Sequence, residues 1–231
     1  MPNTRDGQAR HVDLTPVRTA LADALSFVLP VECAGCGLDD VALCDTCRDA
    51  LLPQPVEQRF DGFRVRSGLV YDGAVARVIR SLKEDGRTSL ARPLAAALQA
   101  AAASWDLPGA VMVPVPTSAA AMRRRGYRVA ELLAHRAGWQ PQRLLRPARR
   151  TADQRELGRT ARAVNVEGSM RALGGEGARV LLVDDVVTTG ATLREAARAL
   201  RTGGAEVLGA VTVAATPRRS LGGGDTGPKA A

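Results

Sequence analysis

Val180-Leu181-Leu182-Val183-Asp184-Asp185-Val186-Val187-Thr188-Thr189-Gly190-Ala191-Thr192 sets four apolar residues, two adjacent carboxylates and a hydroxyl-rich turn in one continuous order. The apolar run suits a strand covered on both faces. Leu193, Ala196, Ala197 and Leu200 then recur at helical spacing until Gly203-Gly204. The polar residues therefore fall where a strand gives way to a helix. At such a turn, unpaired backbone N–H groups and the positive end of the helix dipole favour a phosphate, and the hydroxyls of Thr188, Thr189 and Thr192 add donors. Gly190 permits close backbone approach. Two carboxylates ahead of the turn suit vicinal ribose hydroxyls and a hydrated divalent cation beside a pyrophosphate. The stretch reads as a sugar-phosphate site. No Gly-Lys-Ser or Gly-Lys-Thr occurs anywhere, which excludes a Walker-type loop.

The segment closely resembles the phosphoribosyl pyrophosphate (PRPP) loop of type I phosphoribosyltransferases: four hydrophobics, two acids, two variable residues, Thr-Thr-Gly, one more residue, Thr. The resemblance implies an α/β chain with the type I phosphoribosyltransferase fold, a central parallel sheet flanked by helices. It assigns Asp184 and Asp185 to the ribose hydroxyls, and to Mg²⁺ through PRPP or water. It assigns Thr188, Thr189, Gly190 and Thr192 to the 5′-phosphate, with Val187 and Ala191 completing the loop.

At 231 residues the chain has room for one sizeable α/β core and a small accessory module. Aromatic residues make up 3%, so Ala, Val and Leu must build that core. The net charge of +8 favours phosphate-bearing partners: nucleotide, PRPP or nucleic acid. All but two of the 32 basic residues are Arg, the exceptions being Lys83 and Lys229. A proteome biased toward Arg accounts for the same surface. The apolar run from Ala20 to Val31 is too short to span a membrane and carries Asp23. Residues 1–19 lack a signal-peptide layout and read as a disordered leader, so a cytoplasmic protein is expected. Residues 218–231, with Gly222-Gly223-Gly224, read as a flexible tail.

All four cysteines fall within fifteen residues, as Cys33-Ala34-Gly35-Cys36 and Cys44-Asp45-Thr46-Cys47. Two such knuckles can place four thiolates around Zn²⁺, with Gly35 and Gly37 easing the tight turn and a compact hairpin bridging the spacer. Between them only Leu38, Val41 and Leu43 are large and apolar, so a structural zinc would supply the missing folding free energy. Residues 20–55 are expected to form a helix plus this zinc-ribbon-like module. An iron–sulfur cluster takes the same four thiolates, and disulfides fit poorly with a cytoplasmic protein.

Pro53 and Pro55 mark a linker, and residues 60–217 are expected to form the phosphoribosyltransferase-like domain. Within it, Phe63 to Tyr71 and Val111 to Val115 read as strands, and Ala74 to Leu82 and Leu90 to Ala103 as helices. After Val113-Pro114-Val115-Pro116 come Arg123, Arg124 and Arg125, three guanidiniums expected on a loop facing the pyrophosphate. From Arg143 to Arg162, seven arginines outnumber Asp153 and Glu156. That stretch suits closure over a polyanion, contact with a nucleic-acid backbone, or an exposed basic helix. Neither His11 in the leader nor His135 on a helix reads as a catalytic base.

Several landmarks occur in the order seen in the ComF family of competence-associated phosphoribosyltransferase-like proteins: the four-cysteine module, Tyr71-Asp72-Gly73, Leu82-Lys83 with Gly86, Pro-Val-Pro with Arg125-Gly126-Tyr127, Arg150-Thr151 with Gln154, Leu157, Arg162 and Asn165, and the PRPP loop. The chain resembles that family over about residues 20–217. It departs after Arg-Gly, where the family usually carries an aromatic-Asn-Gln triplet and Tyr127 is here followed by Arg128-Val129. The resemblance places Lys83 near the PRPP site, with Lys83, Arg123 and Arg125 as candidate contacts to pyrophosphate or acceptor. It implies transfer of phosphoribosyl with loss of pyrophosphate. A second reading is a non-catalytic protein of natural transformation that handles single-stranded DNA with competence helicase or recombination-mediator partners. Scarce aromatics argue against a broad base-stacking platform.

Overall fold

The computed structural model describes residues 31–105, 107–148 and 167–217. The leader, the start of the 20–55 module, residues 149–166 of the basic stretch and the 218–231 tail lie outside them. Among the described residues seven strands follow in chain order: β1 (Val56–Phe60), β2 (Phe63–Val70), β3 (Val111–Pro114), β4 (Leu145–Pro147), β5 (Met170–Ala172), β6 (Arg179–Val187) and β7 (Glu206–Ala215). The helices are α1 (Asp45–Asp49), α2 (Gly73–Glu84), α3 (Ala91–Ala102), α4 (Ala119–Arg125), α5 (Val129–Arg136) and α6 (Ala191–Thr202), with a 3₁₀ turn at Thr88–Leu90.

Five strands make the central sheet in the order β1-β2-β7-β6-β3. Strands β2, β7, β6 and β3 run parallel, as expected, and β1 adds an antiparallel edge. The linker reading of Pro53 and Pro55 missed β1. Its signal was Asp61-Gly62 between Phe60 and Phe63, a two-residue hairpin turn in which both central residues have positive φ, 50° and 81°. Strands β4 and β5 form a separate antiparallel pair.

Sheet alternation divides the core in two. Leu181 and Val183 of β6 join Val78, Ile79 and Leu82 of α2, Leu94 and Leu98 of α3, and Leu133 of α5 on one face. Val180 and Leu182 join Leu193, Ala196 and Leu200 of α6 on the other. Both faces of β6 are covered, which is why its sequence is a continuous apolar run instead of an alternating one. Val75, Val78, Ile79 and Leu82 of α2, apolar at helical spacing, are buried together with Ser81.

The cysteine segment does not stand alone. Leu43, Cys33, Cys47 and Leu51 are buried in the same cluster as the α2 side chains, so the module borrows core from the main domain. Leu38, counted as part of a local core, is 57% exposed. Backbone bonds from Cys33 N to Leu38 O, from Ala34 N to Ala42 O and from Val41 N to Val31 O tie residues 31–34 to 38–42, and the second knuckle opens α1.

Candidate ribose-phosphate site and metal centre

Parallel pairing with β7 carries β6 beyond its apolar run, because β7 is long enough to continue the ladder. Asp184 lies opposite Thr212, and Val187 opposite Ala215. The acidic pair is therefore inside the strand and half-buried, which corrects the expectation that it falls where the strand gives way to the helix. Asp185 follows the parity of Leu181 and Val183 and so faces the layer that contains α2.

From that layer Lys83, in the last turn of α2, reaches Asp185: Nζ is 3.1 Å from Oδ1 and 3.0 Å from Oδ2. Asp184 Oδ1 accepts the Asp185 N–H at 2.8 Å. Burial and the neighbouring Asp185 charge push the Asp184 carboxyl up to about 8, against the opposing effects of that N–H and of Lys83. The Asp184 carboxyl is thus held toward its neutral form, beside the Lys83–Asp185 ion pair.

Beyond Val187 the chain turns into α6. Thr188, Thr189 and Thr192 are exposed, Ala191 is half-buried, and Gly190 is buried with φ 71° at the helix N-cap. Thr189 Oγ1 accepts the Ala191 N–H at 3.4 Å. The Val187 side chain is buried, so this residue offers the site its backbone only. Asp184, Asp185, Lys83 and the 188–192 turn thus converge at the carboxyl end of a parallel strand, where open α/β sheets place their ligands.

The three arginines are not on a loop. Arg123, Arg124 and Arg125 form the last turn of α4, which Ser118 caps by accepting the Ala121 N–H at 3.2 Å and Gly126 ends at φ 78°. The sequence Ala119-Ala120-Ala121-Met122 favours helix, and cations at its C-terminus complement the dipole. Among the described residues no hydrogen bond or ion pair joins Arg123 or Arg125 to the acidic pair. Instead Tyr127 Oη donates to the Leu82 carbonyl, tying this segment to the turn of α2 that carries Lys83. Burial raises the Tyr127 hydroxyl above its usual range, so it stays protonated as a donor. The start of the basic stretch is also fixed: Arg143 donates to both Glu131 oxygens, at 2.6 and 3.0 Å, and Arg146 lies in β4. Arg150, Thr151, Gln154, Leu157, Arg162 and Asn165 lie outside the described residues. His135 is a surface residue of α5, 4.0 Å from Glu131.

Glu195 was not foreseen. It is buried on α6, where its carboxylate takes Arg198 at 2.7 and 2.9 Å and the Met170 N–H at 3.0 Å. A charged residue beside the inward positions Ala196 and Ala197 was the available signal.

The four thiols lie within 4.8 Å of one another, with Cys44 Sγ 3.7 Å from both Cys33 Sγ and Cys36 Sγ. A tetrahedral zinc site with arms of ~2.3 Å has edges of about 3.8 Å, so this set fits the ion. Gly35 is required by close approach, since a Cβ there would stand 2.5 Å from Cys47 Sγ. Burial pushes the Cys33 thiol up, but N–H groups from Cys44 and Gly35, each 3.4 Å from its sulfur, outweigh burial and bring it down to about 6. Burial and the other sulfurs push Cys47 up to about 12, so without a cation the cluster does not ionise as a whole. All four cysteines are free thiols, with no disulfide among them.

Residues 121–221 match the family model for the phosphoribosyl transferase domain, somewhat under half of the chain. The match covers most of α4, and β6, the 188–192 turn, α6 and β7 whole. With the observed sheet it supports a type I phosphoribosyltransferase-like protein of mixed α/β architecture with an N-terminal four-cysteine cluster. Among solved structures, the allosteric regulatory enzyme of purine biosynthesis is 24% identical over 53% of this chain and 25% of its own, with a TM-score of 0.35. Orotate phosphoribosyltransferase from Aeropyrum pernix is 21% identical over 72% and 76%, also at 0.35. UMP synthase from Leishmania donovani is 19% identical over 91% and 38%, at 0.37. This chain thus spans about a quarter of the first of these enzymes. No curated protein matches it. No helix among the described residues is long and apolar enough to cross a membrane.

Proposed function

We propose that the protein binds PRPP and transfers its phosphoribosyl group to an acceptor with loss of pyrophosphate. The observation that carries this reading is the convergence of Asp184, Asp185 and Lys83 with the Thr188–Thr192 turn at the end of β6. The exposed hydroxyls and the N-terminal amides of α6 would hold the 5′-phosphate and fix the ribose. The acidic pair would accept the ribose hydroxyls. A protonated Asp184, favoured by its raised pKa, would also donate a hydrogen bond to the sugar. Loss of pyrophosphate leaves positive charge on the ribose ring, which carboxylates beside the sugar would stabilise. Lys83 would serve either as the pair's counter-ion or, by exchanging Asp185 for the pyrophosphate, as its cation.

Carboxylates and water are the ligands a hard divalent cation takes, so Asp184 and Asp185 suit Mg²⁺ arriving with the pyrophosphate. When bound, that ion would neutralise leaving-group charge. The four-cysteine set would hold a structural Zn²⁺ away from the chemistry. The four-cysteine module ahead of a PRPP-type loop supports a ComF-type protein of the cytoplasm, and the net charge of +8 suits single-stranded DNA as a partner.

Calorimetric titration with PRPP and Mg²⁺, then an assay of pyrophosphate release over a panel of acceptors, tests the reading. Saturable PRPP binding is expected. Its loss is expected in a folded Asp184→Asn, Asp185→Asn double variant. Unchanged affinity in that variant would sink the assignment.

A further inference from the structure

The antiparallel edge hairpin touches the PRPP loop directly at Gly190 and reaches its two ends through Thr216 and Arg194. Phe60, the last residue of β1, is buried against Gly190: a Cβ on Gly190 would stand 2.5 to 2.9 Å from three atoms of the Phe60 ring. Asp61, in the hairpin turn, pairs with Arg194 in the first turn of α6. Gln58 Nε2 donates to the Thr216 carbonyl at 3.2 Å, and Thr216 in turn donates to the Val187 carbonyl from its N–H at 3.0 Å and its hydroxyl at 3.4 Å. Val187, Gly190 and Arg194 are the start, the pivot and the exit of the turn. The exposed ion pair holds little energy. The buried ring and the hydrogen-bonded relay are what restrain the backbone.

We propose that the β1–β2 hairpin is a fixed wall of the phosphate site and that Phe60 is a positioning residue for the Thr188–Thr192 turn. The proposal rests on the reading of that turn as the 5′-phosphate site. A phosphate held by backbone N–H groups is bound well only if those groups already converge. A turn of exposed residues with a left-handed glycine at its centre has no such rigidity of its own. The flat ring, with only two side-chain torsions to order, fills the space that a side chain at 190 would take, and so limits the glycine to one of its conformations. It also makes glycine obligatory there on steric grounds, apart from any need for ligand approach.

The test uses the full chain with ribose 5-phosphate and, separately, inorganic pyrophosphate as probes, titrated into wild type, Phe60→Ala, Phe60→Leu, Gln58→Ala, Val56→Ala and a Thr188→Ala, Thr189→Ala double variant. Val56→Ala thins the same hairpin away from the turn and controls for stability alone. Phe60→Ala is expected to weaken ribose 5-phosphate about tenfold and to quicken amide exchange at 188–191, while amides of β7 and the affinity for pyrophosphate change little. Phe60→Leu, which keeps most of the volume, should recover affinity to within about threefold of wild type, and Gln58→Ala should lose about threefold. These two variants carry the test if Phe60→Ala does not fold. Wild-type affinity in every foldable Phe60 and Gln58 variant, with binding lost in the threonine double variant, overturns the positioning role and leaves the phosphate reading intact. An equal loss in Val56→Ala also overturns it. Wild-type binding of ribose 5-phosphate that is absent, or indifferent to Thr188 and Thr189, removes the phosphate reading and this proposal with it.

Discussion

Lys83 and Asp185, 102 residues apart in sequence, form a two-oxygen ion pair at 3.0 and 3.1 Å between the last turn of α2 and the carboxyl half of β6. Their side chains are 27% and 14% exposed, so the pair lies between the weak surface bridge and the costly buried one. Lys83→Ala should cost about 1–2 kcal/mol and weaken PRPP at least about tenfold, because Asp185 then faces Asp184 without a counter-ion. Lys83→Arg separates a compact ammonium from any cation: the bulkier, planar guanidinium should also lose affinity. Calorimetry and thermal melts on both variants decide, and wild-type PRPP binding by the Arg variant would show that any cation suffices.

The Asp184 carboxyl sets a pH dependence of stability. Its folded value, about 8, is above the unfolded 3.8, so the folded state keeps a proton that the unfolded state gives up across that window. Stability from this group is present below about 4 and lost as pH rises toward 8. Asp184→Asn cannot titrate and can still accept the Asp185 N–H. The variant should therefore gain on wild type through the window, by up to about 1.4 kcal/mol per pH unit, and keep that gap unchanged above it. Denaturant titrations at pH 5, 7 and 9 measure the gap. A gap that does not change with pH would show that Asp184 ionises normally.

Metal removal should separate the exposed and buried thiols. Cys36 is exposed and Cys47 is buried in the cluster shared with α2. Cys36→Ser should lose the metal at modest structural cost, whereas Cys47→Ser should also lose packing, for a further loss of about 1–3 kcal/mol. Elemental analysis should find one zinc per wild-type chain. Iron with a visible charge-transfer band in anaerobically purified protein would replace zinc by a cluster.

Glu195 anchors the start of β5 to α6. Burial alone would raise its carboxyl, but Arg198 and the Met170 N–H outweigh burial and hold it below the usual carboxylate range. Its contribution is therefore present above the ordinary carboxylate value and lost as pH falls through its lowered one. Glu195→Gln should cost about 2 kcal/mol near neutrality and progressively less in acid. Urea melts at pH 7 and pH 3.5 give both values, and equal losses at the two would mean that the charge is not what holds Met170.

Local order made several features legible in sequence. The run Val180–Val183 is apolar because both faces of β6 are covered, and the two acids mark where full burial ends. The spacing of four cysteines marks a cluster of thiols that lie within 4.8 Å of one another, and the apolar buried residues of α2 follow from helical period. These depend on neighbours a few residues apart, so pattern suffices. What the tertiary structure decided depends on distance along the chain. Only packing of α2 on the sheet could bring Lys83 to Asp185, and only the long β7 ladder could carry the acidic pair into the strand and half-bury it. Only the return of the β1–β2 hairpin to the far side of the turn could set Phe60 against Gly190. Each of these joins residues tens to more than a hundred positions apart, and their burial and charge exist only once the chain has closed.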